Sequence, residues 1–172
     1  ALSSAASDVY KRQVYAWSFG VWAAATVLPD KGLPIRHATA INGTEHGIDI
    51  EKGIPPEIFR ATLEHLNEAS LKKFYRRMCC EHLDDFNEAF PERDINSLYD
   101  ELRAIGENIT LHPRPRFRWD KAIIGTRDLI FPAKNQVNAW EGTTVVQELD
   151  EPHFFHFRPV VLENRLDKAT IK

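Results

Sequence analysis

The sequence predicts an α/β fold: a mostly parallel sheet that carries a large helical insertion. Three observations point there. Short apolar runs alternate with helical patterns, as a parallel sheet with crossover helices requires. A long middle segment repeats apolar residues every three to five positions, the spacing of amphipathic helices. And 172 residues are enough for one domain with a real core.

The elements follow in order. Gln13-Val14-Tyr15-Ala16-Trp17 reads as a short buried strand. It runs into Ser18-Phe19-Gly20 and then the apolar helix Val21–Leu28, which Pro29-Asp30-Lys31-Gly32 ends. Ile35–Asn42 is a second strand, closed by Asn42-Gly43-Thr44. From Pro55 to Ile109 the chain reads as several helices, with Ile54, Ile58, Leu63, Leu66, Leu71, Phe74 and Met78 marking their apolar side. Pro91 and Pro113 punctuate this block. Lys121–Gly125 is a third strand, ending in Thr126-Arg127-Asp128. Asn135–Trp140 is a short helix, and Thr143–Leu149 is a fourth strand followed by Asp150-Glu151-Pro152-His153. The expected units are a leader over 1–13, core over 14–54, a helical cap over 55–112, and core again over 113–172.

Composition narrows the function. An apolar fraction of 43% and a charged fraction of 27% are ordinary for a soluble globular protein. A net charge of −3 argues against nucleic acid, whose phosphates demand a basic excess. No apolar run approaches the ~20 residues that span a bilayer, so no membrane role is expected. Cys79 and Cys80 are adjacent, a spacing that suits neither a disulfide nor a zinc site; they read as free thiols of a reducing cytoplasm. No metal is expected.

The chemistry centres on Ser18. A serine hydroxyl is a weak nucleophile at neutral pH and needs a base in contact and an anion-stabilising pocket beside it. A sharp strand-to-helix turn exposes the serine and aims the first helical amides at the developing oxyanion. Such a turn needs small residues two places before and after, where strand and helix nearly touch. Ala16 and Gly20 satisfy this, so Ala-Trp-Ser-Phe-Gly is a variant of the G-x-S-x-G nucleophile turn. The competing reading is a serine that merely caps a helix. The order Ser…Asp…His, each at the C-terminal end of a strand, decides between them. Asp128 follows the third strand and His153 the fourth, 25 residues on. Asp128 would orient the imidazole and His153 would take the serine proton. His156 competes with His153 but lies deeper in the aromatic run Phe154-Phe155-His156-Phe157. His37, His46, His65, His82 and His112 read as surface residues.

The helical insertion adds a second signal. Lys72 stands above Arg76, and Lys73 above Arg77, at i and i+4. Between residues 60 and 80 five basic residues (Arg60, Lys72, Lys73, Arg76, Arg77) outnumber two acidic ones (Glu64, Glu68), on a chain that is net negative. Such a face suits an acidic protein partner steered by charge, against the plainer reading of a solvated helix surface.

Several runs resemble a known family. Ala16-Trp17-Ser18-Phe19-Gly20-Val21-Trp22, Ala38-Thr39-Ala40-Ile41-Asn42-Gly43-Thr44, Gly53-Ile54-Pro55, Lys73-Phe74-Tyr75-Arg76-Arg77 with Cys79, Arg127-Asp128-Leu129-Ile130-Phe131, and Gln147-Glu148-Leu149-Asp150-Glu151-Pro152-His153-Phe154 resemble the BioG esterases of biotin synthesis. The likeness extends from about Val14 to Phe157. It implies an α/β-hydrolase that removes the methyl group of pimeloyl-acyl-carrier-protein methyl ester without cofactor. It also implies the triad Ser18, Asp128 and His153, and a cap that meets the acidic carrier protein through Arg60, Lys72, Lys73, Arg76 and Arg77. Trp17 and Asn42 are expected to line the substrate pocket.

Two departures qualify the resemblance. Members of that family begin with further strands and a Gly-Trp-Gly-type loop that supplies a second oxyanion amide. Nothing in residues 1–13 matches it, which leaves the Phe19 N–H as the visible donor. Asp8-Val9-Tyr10-Lys11-Arg12-Gln13 reads as non-native sequence, so the natural chain is expected to begin near Val14, lacking its first strands and insoluble when expressed alone. Leu166–Lys172 resembles the start of BioC, the carrier-protein methyltransferase of the same pathway, as in a fusion cut short. The rival readings are a hydrolase-fold module that binds carrier protein without catalysis, and a related thioesterase or esterase.

Overall fold

The structure, a computed structural model, describes residues 12–90, 92–111 and 117–157. The expected leader up to Lys11, the breaks at Pro91 and Pro113, His112 and the Leu166–Lys172 tail lie outside the described residues. Among the described residues four strands form one parallel sheet in the order β1 (Arg12–Trp17), β2 (Ile35–Ile41), β3 (Lys121–Gly125) and β4 (Val145–Leu149). Helix α1 (Phe19–Val27) connects β1 to β2, and α6 (Ala133–Trp140) connects β3 to β4. Between β2 and β3 the described residues form the α-helices α2 (Pro56–Glu64), α3 (Glu68–Cys79), α4 (Leu83–Ala89) and α5 (Ile95–Leu111). The mostly parallel sheet with an inserted helical block is thus as the sequence predicts. Several boundaries move by one or two residues: α1 and α6 each start two residues earlier than expected and β4 two later, and β1 begins at Arg12, one residue before the expected Gln13, with Arg12 and Gln13 paired to Ile35 and His37 across a bulge. Charged and polar side chains hide this start from a hydrophobic pattern, because the ladder is made by the backbone.

The two sheet faces have different partners. Successive strand residues point to opposite sides. Ala16, Ala38, Ala40, Ala122 and Ile124 face α1 and α6, where they meet Val21, Ala25 and Trp140 in the main core. Alanine dominates this face, so the helix backbones can lie close to the sheet. Ile41 and Ile123 face the other way, onto Phe155. A third apolar cluster lies under the inserted block, where Met78 and Cys79 of α3 pack on Phe154 with Phe74, Tyr75, Leu83 and Phe86 around them. The Phe154 N–H donates to the Met78 carbonyl at 2.8 Å, joining block and core by backbone as well.

Local chemistry explains where α3 starts. The Asn67 side chain accepts from the N–H groups of Ala69 and Ser70, both at 3.0 Å, while Ser70 Oγ accepts the Asn67 N–H at 2.8 Å. This reciprocal capping box satisfies donors that a helix start leaves open. No helix among the described residues is long and apolar enough to cross a membrane.

Two predictions follow from this packing. Ile124 is fully buried, so Ile124→Ala should cost about 2–5 kcal/mol, read as a lower urea midpoint at unchanged slope. Cys79 is fully buried beside half-buried Cys80. Burial first, and the neighbouring Cys80 second, push the Cys79 thiol up to about 11. Iodoacetamide at pH 8 should therefore alkylate Cys80 well before Cys79 in the folded protein, and both alike in urea, as peptide mass spectrometry can follow.

Candidate active site

Ser18 occupies the single residue between β1 and α1, at φ 57° and ψ −133°. That region of backbone space is sparsely used by residues with a Cβ and costs about 1–3 kcal/mol, so the surroundings must enforce it. They do so from β2. The Ser18 N–H donates to the Ile41 carbonyl at 3.0 Å. Gly43 presses directly on the Ser18 backbone: a Cβ there would lie 2.3 Å from the Ser18 carbonyl oxygen. The Gly43 carbonyl in turn accepts the Trp140 indole N–H at 3.2 Å. Phe19 is the first residue of α1, so its N–H has no carbonyl within the helix to bond. Its ring meets Phe59 of α2 and Phe131 edge-on, at 5.9 and 6.1 Å between centroids.

Asp128 lies at the end of β3 with its side chain fully buried. Four donors converge on the carboxylate. Oδ1 accepts the N–H groups of Ile130 and Phe131, both at 2.8 Å. Oδ2 accepts Gln136 Nε2 at 3.0 Å and meets His153 Nδ1 at 2.8 Å. A buried carboxylate is tolerated only when hydrogen-bonded this completely. The two backbone donors make a turn that the sequence Asp-Leu-Ile-Phe closes on itself. Gln136 comes from α6, where it is fully buried and also donates to the Phe131 carbonyl at 2.7 Å.

His153 follows β4 and is 1% exposed. With Nδ1 directed at a carboxylate, Nδ1 carries the proton and Nε2 is the nitrogen able to accept one. The His153 main-chain carbonyl accepts two donors: Trp17 Nε1 at 2.9 Å and Asn42 Nδ2 at 2.8 Å. Trp17 also lays its ring against the imidazole, 5.1 Å between centroids. His156 is elsewhere: it is exposed and pairs with Asp85 of α4 at 2.9 Å. The structure therefore brings Asp128 and His153 together, joins the residue before Ser18 to the His153 loop, and separates His156 from both.

Asn42 is one of the two residues expected to line the substrate pocket. It is fully buried, and its side-chain amide is committed to backbone: Nδ2 donates to the Pro152 and His153 carbonyls, and Oδ1 accepts the Gly125 N–H at 2.6 Å. Trp17 is half-buried, with its indole N–H engaged by His153. Arg60, Lys72, Lys73, Arg76 and Arg77 are all exposed on the inserted block. Arg60 approaches Glu64 at 3.9 Å, whereas the other four form no ion pair among the described residues. His82 is half-buried, not a surface residue, and contacts Glu151 at 3.3 Å.

A polar seam joins block and core away from Ser18. His82, Asp85 and His156 bring donor atoms within 4.8 Å of one another, as do Glu81, His82 and Glu151. These groups pair among themselves. Arg127 bonds both Glu81 and Asp150, and its guanidinium holds the exposed Glu81 carboxyl down at about 2. Sequence reasoning passed over Gln136 and Gly43. Gln136 looked like any polar residue of a short helix, and Asn42-Gly43 looked like a turn.

Comparison with known proteins identifies relatives of the chain and of its fold. A family model described as Pimeloyl-ACP methyl esterase BioG matches residues 4–162. That match takes in residues expected to be non-native leader. A Bacteroides fragilis protein named malonyl-[acyl-carrier protein] O-methyltransferase is 49% identical over 144 residues, covering 82% of this chain but only 29% of that protein. The crystal structure of BioG from Haemophilus influenzae is 34% identical with a TM-score of 0.79, covering 92% of this chain and 74% of that one. The RedJ thioesterase of prodiginine biosynthesis in Streptomyces coelicolor, at 19% identity and a TM-score of 0.52 over 89% of this chain and 58% of that one, shares the fold.

Gln136 offers a direct test of the buried carboxylate. Gln136→Leu removes one of the Asp128 donors and should destabilise the protein by about 1–3 kcal/mol in urea titration. Gln136→Glu instead sets a second carboxylate against Asp128. Its penalty should exceed that of Gln136→Leu in the same titration, because two carboxylates then face each other away from water where a donor stood before.

Proposed function

The chain belongs to the BioG family of pimeloyl-ACP methyl esterases, and on that premise we propose that it is a serine carboxylesterase acting on the methyl ester of pimeloyl-acyl-carrier protein in biotin synthesis. The observation that carries this reading is the buried Asp128–His153 pair, tied to the residue before a serine at φ 57° in a strand-to-helix turn.

The chemistry follows from those positions. Ser18 Oγ attacks the ester carbonyl as His153 Nε2 takes its proton. The carbonyl oxygen becomes an oxyanion, and the Phe19 N–H at the start of α1 would donate to it. Collapse of the tetrahedral adduct breaks the bond to the methoxy group, which leaves as methanol with the proton from His153. Water then attacks the acyl-enzyme, giving its proton to His153, and returns the free carboxylate and Ser18. Asp128 holds the imidazole in the required tautomer and stabilises the imidazolium between steps. The half-buried rings of Phe19 and Phe59, with fully buried Phe131 behind Phe19, would give a polymethylene chain an apolar surface beside the serine. The reaction needs neither metal nor organic cofactor.

The acyl group would arrive on its carrier protein, an acidic partner. The exposed Lys72, Lys73, Arg76 and Arg77 of α3, together with Arg60 of α2, would supply the cations that receive it. The chain would work in the cytoplasm, with no role for nucleic acid or membrane.

Two outcomes test the reading. Ser18→Ala should abolish fluorophosphonate labelling and lower ester turnover by more than about 1,000-fold, and His153→Ala should do similarly, since triad members act as a unit. Activity within tenfold of the parent would sink the nucleophile. Changing Lys72, Lys73, Arg76 and Arg77 together to glutamate should slow turnover of the carrier-bound methyl ester far more than that of a small soluble ester. Added salt should act likewise, since screening operates beyond about 10 Å at 0.1 M. Equal loss on both substrates would make α3 purely structural.

A further inference from the structure

One carbonyl oxygen connects the two halves of this site. The His153 carbonyl has two lone pairs, and both are engaged: by the Trp17 indole at 2.9 Å and by the Asn42 amide at 2.8 Å. Each donor is anchored to the serine. Trp17 immediately precedes Ser18 in β1. Asn42 lies between Ile41, whose carbonyl accepts the Ser18 N–H, and Gly43, which abuts the Ser18 backbone.

Asn42 is itself held. Its φ of 44° is a conformation asparagine tolerates better than most residues. Its N–H bonds the Ile123 carbonyl at 3.0 Å, and its Oδ1 takes the Gly125 N–H. Gly125 lets the His153 loop come near: a Cβ there would lie 2.4 Å from the Glu151 carbonyl oxygen. The end of β2 thus fixes the serine turn through its backbone and the histidine loop through one side chain.

Taking His153 as the base that serves Ser18, we propose that Asn42 and Trp17 are positioning residues for catalysis, which set the imidazole against the serine by gripping the His153 main-chain carbonyl. Neither takes part in proton transfer. Asp128 orients the ring about its Nδ1, and the two donors fix where the ring's backbone stands. Because both donors bind one acceptor, each can partly cover for the other.

The test is a double-mutant cycle in the full chain with Asn42→Gly and Trp17→Phe. Glycine retains the positive φ and deletes only the side chain. Phenylalanine retains a ring and deletes the indole N–H. Each single change should lower kcat for a soluble methyl ester by about threefold to tenfold with KM within about twofold, as expected for one lost positioning bond. The double variant should fall by more than the product of the two, toward the roughly 100-fold that a misplaced group costs. Fluorophosphonate labelling of Ser18 should slow in parallel, measured where near-ultraviolet circular dichroism reports folded protein. Parent-like kcat in both single variants and the double would overturn the proposal. So would a change confined to KM, which would make these residues pocket lining, or a loss that merely tracks the unfolded fraction. Should Asn42→Gly fail to fold, Trp17→Phe decides alone. A parent that is not labelled at all would remove the nucleophile reading and this one with it; a labelled parent with unaffected variants removes only this one.

Discussion

The burial of the Asp128 carboxylate organises this molecule. An ionised group away from water must find donors on every side. Here they come from three places: the turn after β3, helix α6 and the loop after β4. Meeting that requirement fixes how β3, α6 and β4 stand relative to one another at the C-terminal edge of the sheet. His153 is one of the four donors, so the same requirement places it.

Serine placement depends on a second, steric constraint. Ser18 adopts its unfavourable backbone geometry because β2 leaves it no alternative: a carbonyl receives its N–H and Gly43 occupies the space beside it. Glycine is needed at that point since any side chain would overlap the Ser18 carbonyl. Alanines at 16, 38, 40 and 122 extend the same economy of space across the sheet, letting α1 and α6 settle on it. The Ser18 turn is therefore a local feature held by a neighbouring strand, and the Asp128–His153 pair is a polar network held by burial.

Much of this was legible in the chain itself, for identifiable reasons. The four strands showed as apolar runs of the right length, and the β3 boundaries at Lys121 and Gly125 match the reading. Asp128 and His153 stood out because each follows a strand, in the chain order that such sites use. The start of β1 at Arg12 was hidden because backbone pairing needs no apolar side chain. Gln136 was hidden because its partner lies across a loop and nothing in a helical glutamine announces burial. Asn42 was noticed, but as pocket lining: sequence position tells that a residue is near a site, not whether its amide faces ligand or backbone. Asn67 as the helix start was within reach of the sequence, since asparagine is a favoured N-cap, but the return bond from Ser70 was not, because serine replaces the usual Glu or Gln of a capping box.

The inserted block enters and leaves between two strands that are immediate neighbours, with Thr39 of β2 paired to Lys121 of β3. From the sheet's side, everything from α2 to α5 is therefore a single closed loop. The entropy of closing a loop grows only logarithmically with its length, so doubling it adds about 0.6 kcal/mol. The sheet consequently exerts almost no pressure on how long the block is or how many helices it holds. What it does require is contact at the Met78–Phe154 patch, where the block covers the histidine loop. Evolution can lengthen, shorten or re-sculpt the outer helices while the sheet and the Asp128–His153 pair underneath stay in register.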